Sequence, residues 1–188
     1  MESNASALVE SLKSANLLPS RVIPEGFTPA IPLSVEFETK TINNGNLVRV
    51  SDVKSAPRVS FSSNTSDTYT FMLIDPDAPT PDDPKFAYWR HWVVINIKPD
   101  SSVPNTVDTG ITLTQYLAPG VKDESAPHRY TYLLFKEPAG FKAAKEDVGG
   151  EEFVDRRSFK ADEWAQKFGL ELVGVNWMTG AGDGWKES

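Results

Sequence analysis

The run from Tyr69 to Ile97, YTFMLIDPDAPTPDDPKFAYWRHWVVINI, constrains the fold more than any other part of the chain. Two segments rich in β-branched and aromatic residues, Tyr69 to Ile74 and Trp92 to Ile97, flank a loop dense in Asp and Pro. Short apolar runs bounded by turn formers read as strands, and the prolines between them argue against a helix. A sheet built around this stretch must therefore hold the loop after Asp75 at one of its ends.

Other segments fit the same sheet. Pro24, Pro29 and Pro32 disfavour helix and interrupt pairing, and after them Leu33, Val35 and Phe37 alternate with polar neighbours as in a half-buried strand. Asn43-Asn44-Gly45-Asn46 between alternating segments predicts a hairpin turn. Pro57 to Phe61 and Ile111 to Tyr116 are short strand candidates. Arg129 to Phe135 is a strong one, and its period of two puts His128, Tyr130, Tyr132 and Leu134 on one face. Leu170 to Trp177 can return as a last strand.

Helices are expected mainly near the two ends. Residues 4 to 17 carry Leu8, Val9, Leu12 and Ala15 at helical spacing, with Asn4 or Ser6 as cap and Pro19 as stop. Ala161, Trp164, Ala165 and Phe168 follow the same spacing and end at Gly169. Residues 136 to 152 read as a connector with at most a helical turn. The sum is a mainly β fold, an antiparallel β-sandwich with peripheral helices. At 188 residues, one domain over 1–188 is expected, with 1–19 as an N-terminal helical extension and 178–188 as a short loose tail.

Acidic residues outnumber basic ones, 26 to 19, which argues against binding to nucleic-acid backbones. An anionic ligand then needs a local positive field. The absence of cysteine removes disulfides, thiolate metal sites and cysteine nucleophiles. The N-terminus starts acidic and lacks a basic and then apolar leader pattern, and no run approaches the roughly 20 apolar residues of a membrane span. Together these predict a cytoplasmic protein with peripheral membrane contact at most.

The two histidines, His91 and His128, each open a strand beside an arginine. Strands entering one sheet end from these positions bring both imidazoles near the Asp75-Pro76-Asp77-Ala78-Pro79 loop, where ring N–H groups, loop amides and a hydroxyl can hold a phosphate. Each residue has a structural alternative. Asp75 and Asp77 can serve as turn residues bonding their own loop, Trp89 and Trp92 as core, and Arg129 as the inward partner of Asp75 or Asp77. Two His and an Asp also resemble a non-haem iron ligand set, but no supporting spacing is present. A serine hydrolase would need an activated serine, and there is no G-x-S-x-G elbow.

The motifs Asp75-Pro76-Asp77-Ala78-Pro79, Asp83-Pro84-Lys85, Trp89-Arg90-His91-Trp92 and His128-Arg129-Tyr130, in this order, resemble the phosphatidylethanolamine-binding protein family, which includes Raf kinase inhibitor proteins and carboxypeptidase Y inhibitors. The resemblance runs from about residue 20 to about residue 177. It implies a β-sandwich with a small anion pocket, no settled catalytic activity, no cofactor and no metal, and cis bonds at Ala78-Pro79 and Ala87-Tyr88. Position by position, Asp75, Asp77, Pro79, Trp89, His91 and His128 would line the pocket, with Phe86, Tyr88, Ala126 and Pro127 at its edge.

Departures from the family pattern are local. Pro81 stands where a cation is common, and Phe86 replaces a tyrosine whose hydroxyl Tyr88 is placed to supply. Ser125-Ala126-Pro127 stiffens the approach to His128, and a short tail predicts a more open pocket. The N-terminal helix and short tail resemble the fungal inhibitor branch. The resemblance implies a monomer that binds phosphate or a phosphorylated headgroup and regulates a protein partner, a kinase or a serine carboxypeptidase. For the carboxypeptidase, the N-terminal segment would be the inhibitory element. An esterase or hydrolase using the same His and Asp residues is the remaining alternative.

Overall fold

The structure, a computed structural model, describes residues 2–187. Met1 and Ser188, the outermost residues of the expected extension and tail, lie outside them. Eight strands form two sheets: β1 (Ser34–Glu36) pairs with β3 (Arg58–Ser60), and a six-stranded sheet runs in the order β2 (Leu47–Arg49), β8 (Glu171–Ala181), β7 (His128–Lys136), β4 (Tyr69–Asp75), β5 (Trp89–Ile97), β6 (Ile111–Thr114). All pairings are antiparallel except β2 with β8. Among the described residues the α-helices are α1 (Glu2–Ser14), α2 (Lys145–Val148) and α3 (Ala161–Lys167).

The alternation of side chains across the large sheet feeds two cores. On one face Phe71, Leu73, Trp92, Tyr130, Tyr132 and Leu134 pack against Val35 and Val59 of the small sheet. On the other, Met72, Ile74, Val93, Leu133 and Trp177 pack against Leu12 of α1 and Ala161 and Trp164 of α3. Residues buried on both faces explain why β4 reads as an unbroken apolar run and not as an alternating one.

The expected strands are all present, and three readings change. The Asn43 to Asn46 turn forms, with Asn44 and Gly45 at φ 49 and 88, but it does not close a hairpin. Its flanking strands go to different sheets, because β2 leaves the turn parallel to β8, with Leu47 opposite Thr179. Helix α1 starts at Glu2, so Asn4 and Ser6 lie inside it and not at its cap. The last strand continues to Ala181, and the residues after it are held and not loose: Arg49 Nη1 donates to the carbonyls of Gly182 and Trp185, both at 2.8 Å, and the Gly184 amide donates to Asp123 Oδ1 at 2.9 Å.

Candidate anion site at the end of the sandwich

Strand β5 carries one residue more than its neighbour requires. Leu73 faces Trp92 and Ile74 faces Arg90, so His91 is the extra residue of a β-bulge. A bulge turns two successive side chains of one strand out of simple alternation. Arg90 therefore points to the helix side, while His91 and Trp92 both point to the small-sheet side. There the His91 ring meets the Tyr130 ring edge-on, centroids 5.3 Å apart, and the His128 ring stacks on Tyr130 at 6.1 Å. Asp75 lies opposite Trp89, on the same face as Leu73. One end of the sandwich thus gathers Asp75, Trp89, His91 and His128, all buried.

Most polar atoms here are already engaged. His128 Nδ1 and Asp75 Oδ2 are 2.8 Å apart, and His128 Nε2 lies 3.2 Å from Ser125 Oγ, which also donates to the Ala126 carbonyl at 2.9 Å. The Asp77 amide donates to Asp75 Oδ1 at 2.7 Å. His91 Nδ1 lies 2.6 Å from the Leu117 carbonyl, so Nδ1 carries the proton, and Nε2 has no hydrogen-bond partner among the described residues. Burial lowers the pKa of His91 against the opposing pull of Asp75, and the ring is neutral near pH 7. Trp89 Nε1 is a buried donor with no partner among the described residues.

Three arginines lie near this end in spite of the net charge of -7, with Arg90 on the helix side of the sheet, over the Phe159 ring. Arg90, 1% exposed, donates to Thr114 Oγ1 at 2.9 Å and to the carbonyls of Val148 and Gly150, and burial lowers its pKa to about 10, still a cation at neutral pH. Arg156 is buried as well and donates to the carbonyls of His91 at 3.1 Å and Gln115 at 2.9 Å. Both guanidinium groups are bonded to neutral oxygens, with Glu151 and Asp155 only near enough to offset part of their charge. A third cation, the exposed Arg157, sits 4.4 Å above the Phe86 ring. The backbone beside it is fixed by the amides of Ser158 and Phe159 donating to the carbonyls of Phe86 and Tyr88.

The expected residues separate into three groups. Asp75, Trp89, His91 and His128 come together at the base. Pro79, Phe86, Ala126 and Pro127 lie on the loops around it, exposed or half-buried, with the Phe86 and Trp89 rings 6.5 Å apart. Asp77 and Tyr88 do not reach the site. Both Asp77 oxygens are taken by Arg129, whose Nε and amide donate to Oδ2 at 2.9 and 2.7 Å and whose Nη2 donates to Oδ1 at 2.6 Å, so Arg129 has the structural role and Asp77 is the partner that fixes it. Tyr88 faces the helix side, against Ser20, Arg21 and Asp162, and cannot replace the hydroxyl missing at Phe86.

The cluster is also less open than the short tail suggested. Both histidines are 4% exposed, and the pinned tail after Ala181 lies against the loop that leads to His128. Sequence reasoning missed Ser125, Tyr130 and Arg156 as members. Tyr130 was legible from its period-two spacing to His128. Ala78-Pro79 and Ala87-Tyr88 are cis, as the resemblance implies, and Leu18-Pro19 is a further cis bond. Among the described residues no group of three or more His, Asp or Glu side chains is placed to hold a metal ion.

A family model described as phosphatidylethanolamine-binding protein matches residues 30–176. A rice protein (Oryza sativa subsp. japonica), MOTHER of FT and TFL1 homolog 2, is 35% identical over 130 residues, which is 66% of this chain and 70% of that protein. Among solved structures, a carboxypeptidase Y inhibitor complexed with its cognate proteinase superposes with a TM-score of 0.79 at 24% identity, over 95% of this chain and 97% of that one. A phosphatidylethanolamine-binding protein from Plasmodium vivax gives 0.75 at 26% identity, over 93% and 97%.

Proposed function

The chain belongs to the phosphatidylethanolamine-binding protein family, and from that premise we propose that it is a non-enzymatic binding module. It takes phosphate or a phosphorylated headgroup at the His91 and His128 end of the sandwich and regulates a protein partner. The observation that carries this reading is the Nε2 of His91, without a hydrogen-bond partner among the described residues, set on the face it shares with His128 by the β5 bulge, with the Arg156 guanidinium bonded to the His91 carbonyl. Neutral His91 presents a lone pair at Nε2, which accepts from the P–OH of a protonated phosphate, while toward a phosphate oxygen without a proton the ring must itself take one up and Nε2–H becomes the donor. Either way a proton lies between Nε2 and the phosphate, so binding is tighter at lower pH.

The test is a phosphate titration followed by the ring resonances of His91 and His128, at pH 6 and pH 8, in the parent chain and in His91→Gln. Saturable shifts that are tighter at pH 6 and lost in the variant support the site. Titration unchanged by the substitution sinks it. Regulation of a serine carboxypeptidase draws support from the inhibitor that shares the fold, and a kinase is the alternative partner. The N-terminal segment is not a free inhibitory arm, since Leu12 of α1 and the Leu17 and Leu18 that follow it are core and Trp177 Nε1 donates to Ser11 Oγ at 3.0 Å. Point changes at exposed positions such as Asn4 are the informative probes of an N-terminal inhibitory segment, because removing residues 1–18 would open the core.

One observation favours a second reading, hydrolysis. Asp75, His128 and Ser125 follow one another at 2.8 and 3.2 Å in the order of an acid, a base and a nucleophile. In that reading Ser125 Oγ attacks an ester carbonyl, passes its proton to His128 and releases the alcohol, and water then frees the acid. A fluorophosphonate probe that labels Ser125, with loss of labelling in Ser125→Ala, would establish it. Absence of labelling in the folded parent chain discards it.

A further inference from the structure

A second opening, with a volume of about 840 Å³, lies at the far edge of the large sheet, between the start of α1, the proline-rich segment 28–34, the turn at 41–44 and β8. None of its 17 lining residues is charged, although 24% of the chain is Asp, Glu, Lys or Arg. Its walls are small apolar groups and side-chain amides, with Ala5, Leu8, Ile31 and Ile42 among the former and Asn43 and Asn176 among the latter.

Its floor is a gap in the hydrogen bonding of β8. Below the gap, the Val173 carbonyl accepts from the amides of Ala30 and Ile31 at 2.8 and 2.9 Å. Above it, the Trp177 carbonyl accepts from Gly45 at 2.9 Å, and the Thr179 amide donates to Asn46 at 3.1 Å. The register of β8 on β7 is unbroken from Leu133 opposite Val175 to Arg129 opposite Thr179. Residues 175, 177 and 179 therefore turn their N–H and C=O to the same outer edge.

Among the described residues no hydrogen bond reaches the Val175 N–H or C=O at this edge, although the residue is 2% exposed. Pro32 has no N–H to offer, and the Asn176 amide is spent on the carbonyls of Leu33 and Ile42 at 3.0 and 3.1 Å, which fixes the two flanking segments to either side. Buried backbone donors and acceptors are normally paired, and an unpaired strand edge is a template for an added strand.

We infer that this gap receives one extended, uncharged peptide segment of a protein partner. The segment donates to and accepts from Val175 in the manner of an added strand and lays small apolar side chains on the Ala5, Leu8 and Ile31 wall. The absence of charge in the lining selects against acidic and basic segments, since each charge would be desolvated without a partner. The site lies at Val175 of β8, opposite Leu133, whereas His128 of the anion site lies opposite Gly180, so it does not rest on the anion reading.

The experiment titrates the isotope-labelled full chain with acetyl-Ala-Val-Ala-amide, and with acetyl-Ala-Pro-Ala-amide, which lacks the central N–H. The expected result is a saturable shift of the Val175 amide and at least about tenfold slower exchange of its hydrogen with the first peptide, and a weaker effect with the second. Ala7→Trp, at an exposed position on the rim, should abolish the effect while leaving the histidine resonances unchanged. No saturable shift at Val175 up to about 10 mM peptide, equal response to the proline peptide, or full binding by Ala7→Trp each overturns the inference. Because the histidine resonances are read in the same spectra, its failure is distinguishable from failure of the anion site.

Discussion

Replacing Arg129 by Gln tests the clamp on which the site loop depends. The side chain of Asp77 is 3% exposed, and that of Arg129 is 31% exposed. Two guanidinium bonds, at 2.9 and 2.6 Å, hold the carboxylate, and a third, from Nη1 to the Ala15 carbonyl at 2.7 Å, ties the end of α1 to the same point. Removing one partner of a buried pair costs roughly 3–5 kcal/mol, because the remaining charge stays desolvated. Arg129 is about a third exposed, so water reaches part of the gap, and the expected loss is about 2–4 kcal/mol.

For a chain of this size each kcal/mol moves Tm by roughly 2–4 °C, so the variant should melt about 5–15 °C lower. The measurement is thermal and urea unfolding by circular dichroism. Arg129→Gln combined with Asp77→Asn should recover about 2 kcal/mol relative to the sum of the single changes, since the orphaned charge is then gone. A melting shift under about 2 °C, or strict additivity of the two substitutions, would refute the reasoning.

Three further outcomes are expected. Burial lowers the pKa of His91, so the unfolded chain binds a proton that the folded chain does not. Stability from this group is complete above the unfolded pKa, near 6.5, and is lost as pH falls toward the folded value; unfolding free energies from pH 7.5 to 5 should show this slope, and His91→Gln should flatten it. Gly180→Ala would place a Cβ 2.6 Å from the Tyr130 ring, so about 1–3 kcal/mol of stability should be lost and both histidine ring resonances should move; an unshifted spectrum contradicts the shared Tyr130 wall. Asp123→Ala removes the acceptor of the Gly184 amide, and faster hydrogen exchange confined to residues after Ala181 should follow, with unchanged exchange showing that the tail is held elsewhere.

Local physics made most of the fold readable. The β4, β5 and β7 segments are long, apolar and bounded by turn formers, and their order alone placed Asp75, His91 and His128 at one sheet end. What failed depended on partners distant in sequence. The Asn44-Gly45 turn was correct as backbone geometry, yet its pairing was decided by β8, more than 130 residues later, and nothing in the turn encodes that choice. Tyr88 was assigned to the pocket by proximity in sequence to Phe86, whereas its packing against Ser20 and Asp162 sends it to the other face. Arg156 reaches His91 through a carbonyl, a contact that no spacing rule records.

The bulge at His91 has a consequence for how such a chain can change. Deleting that one residue would bring Arg90 and Trp92 into consecutive register with Ile74 and Leu73, a regular ladder with both flanking side chains still on their own faces. The imidazole would vanish and the sheet would close over its absence. His91 is therefore a single-residue insertion into an architecture that is complete without it. On the proposed reading a chain could keep the scaffold, with Asp75 and His128 in place, and lose the His91 imidazole in one step, so strand phase at this position, more than overall shape, decides whether that ring is there.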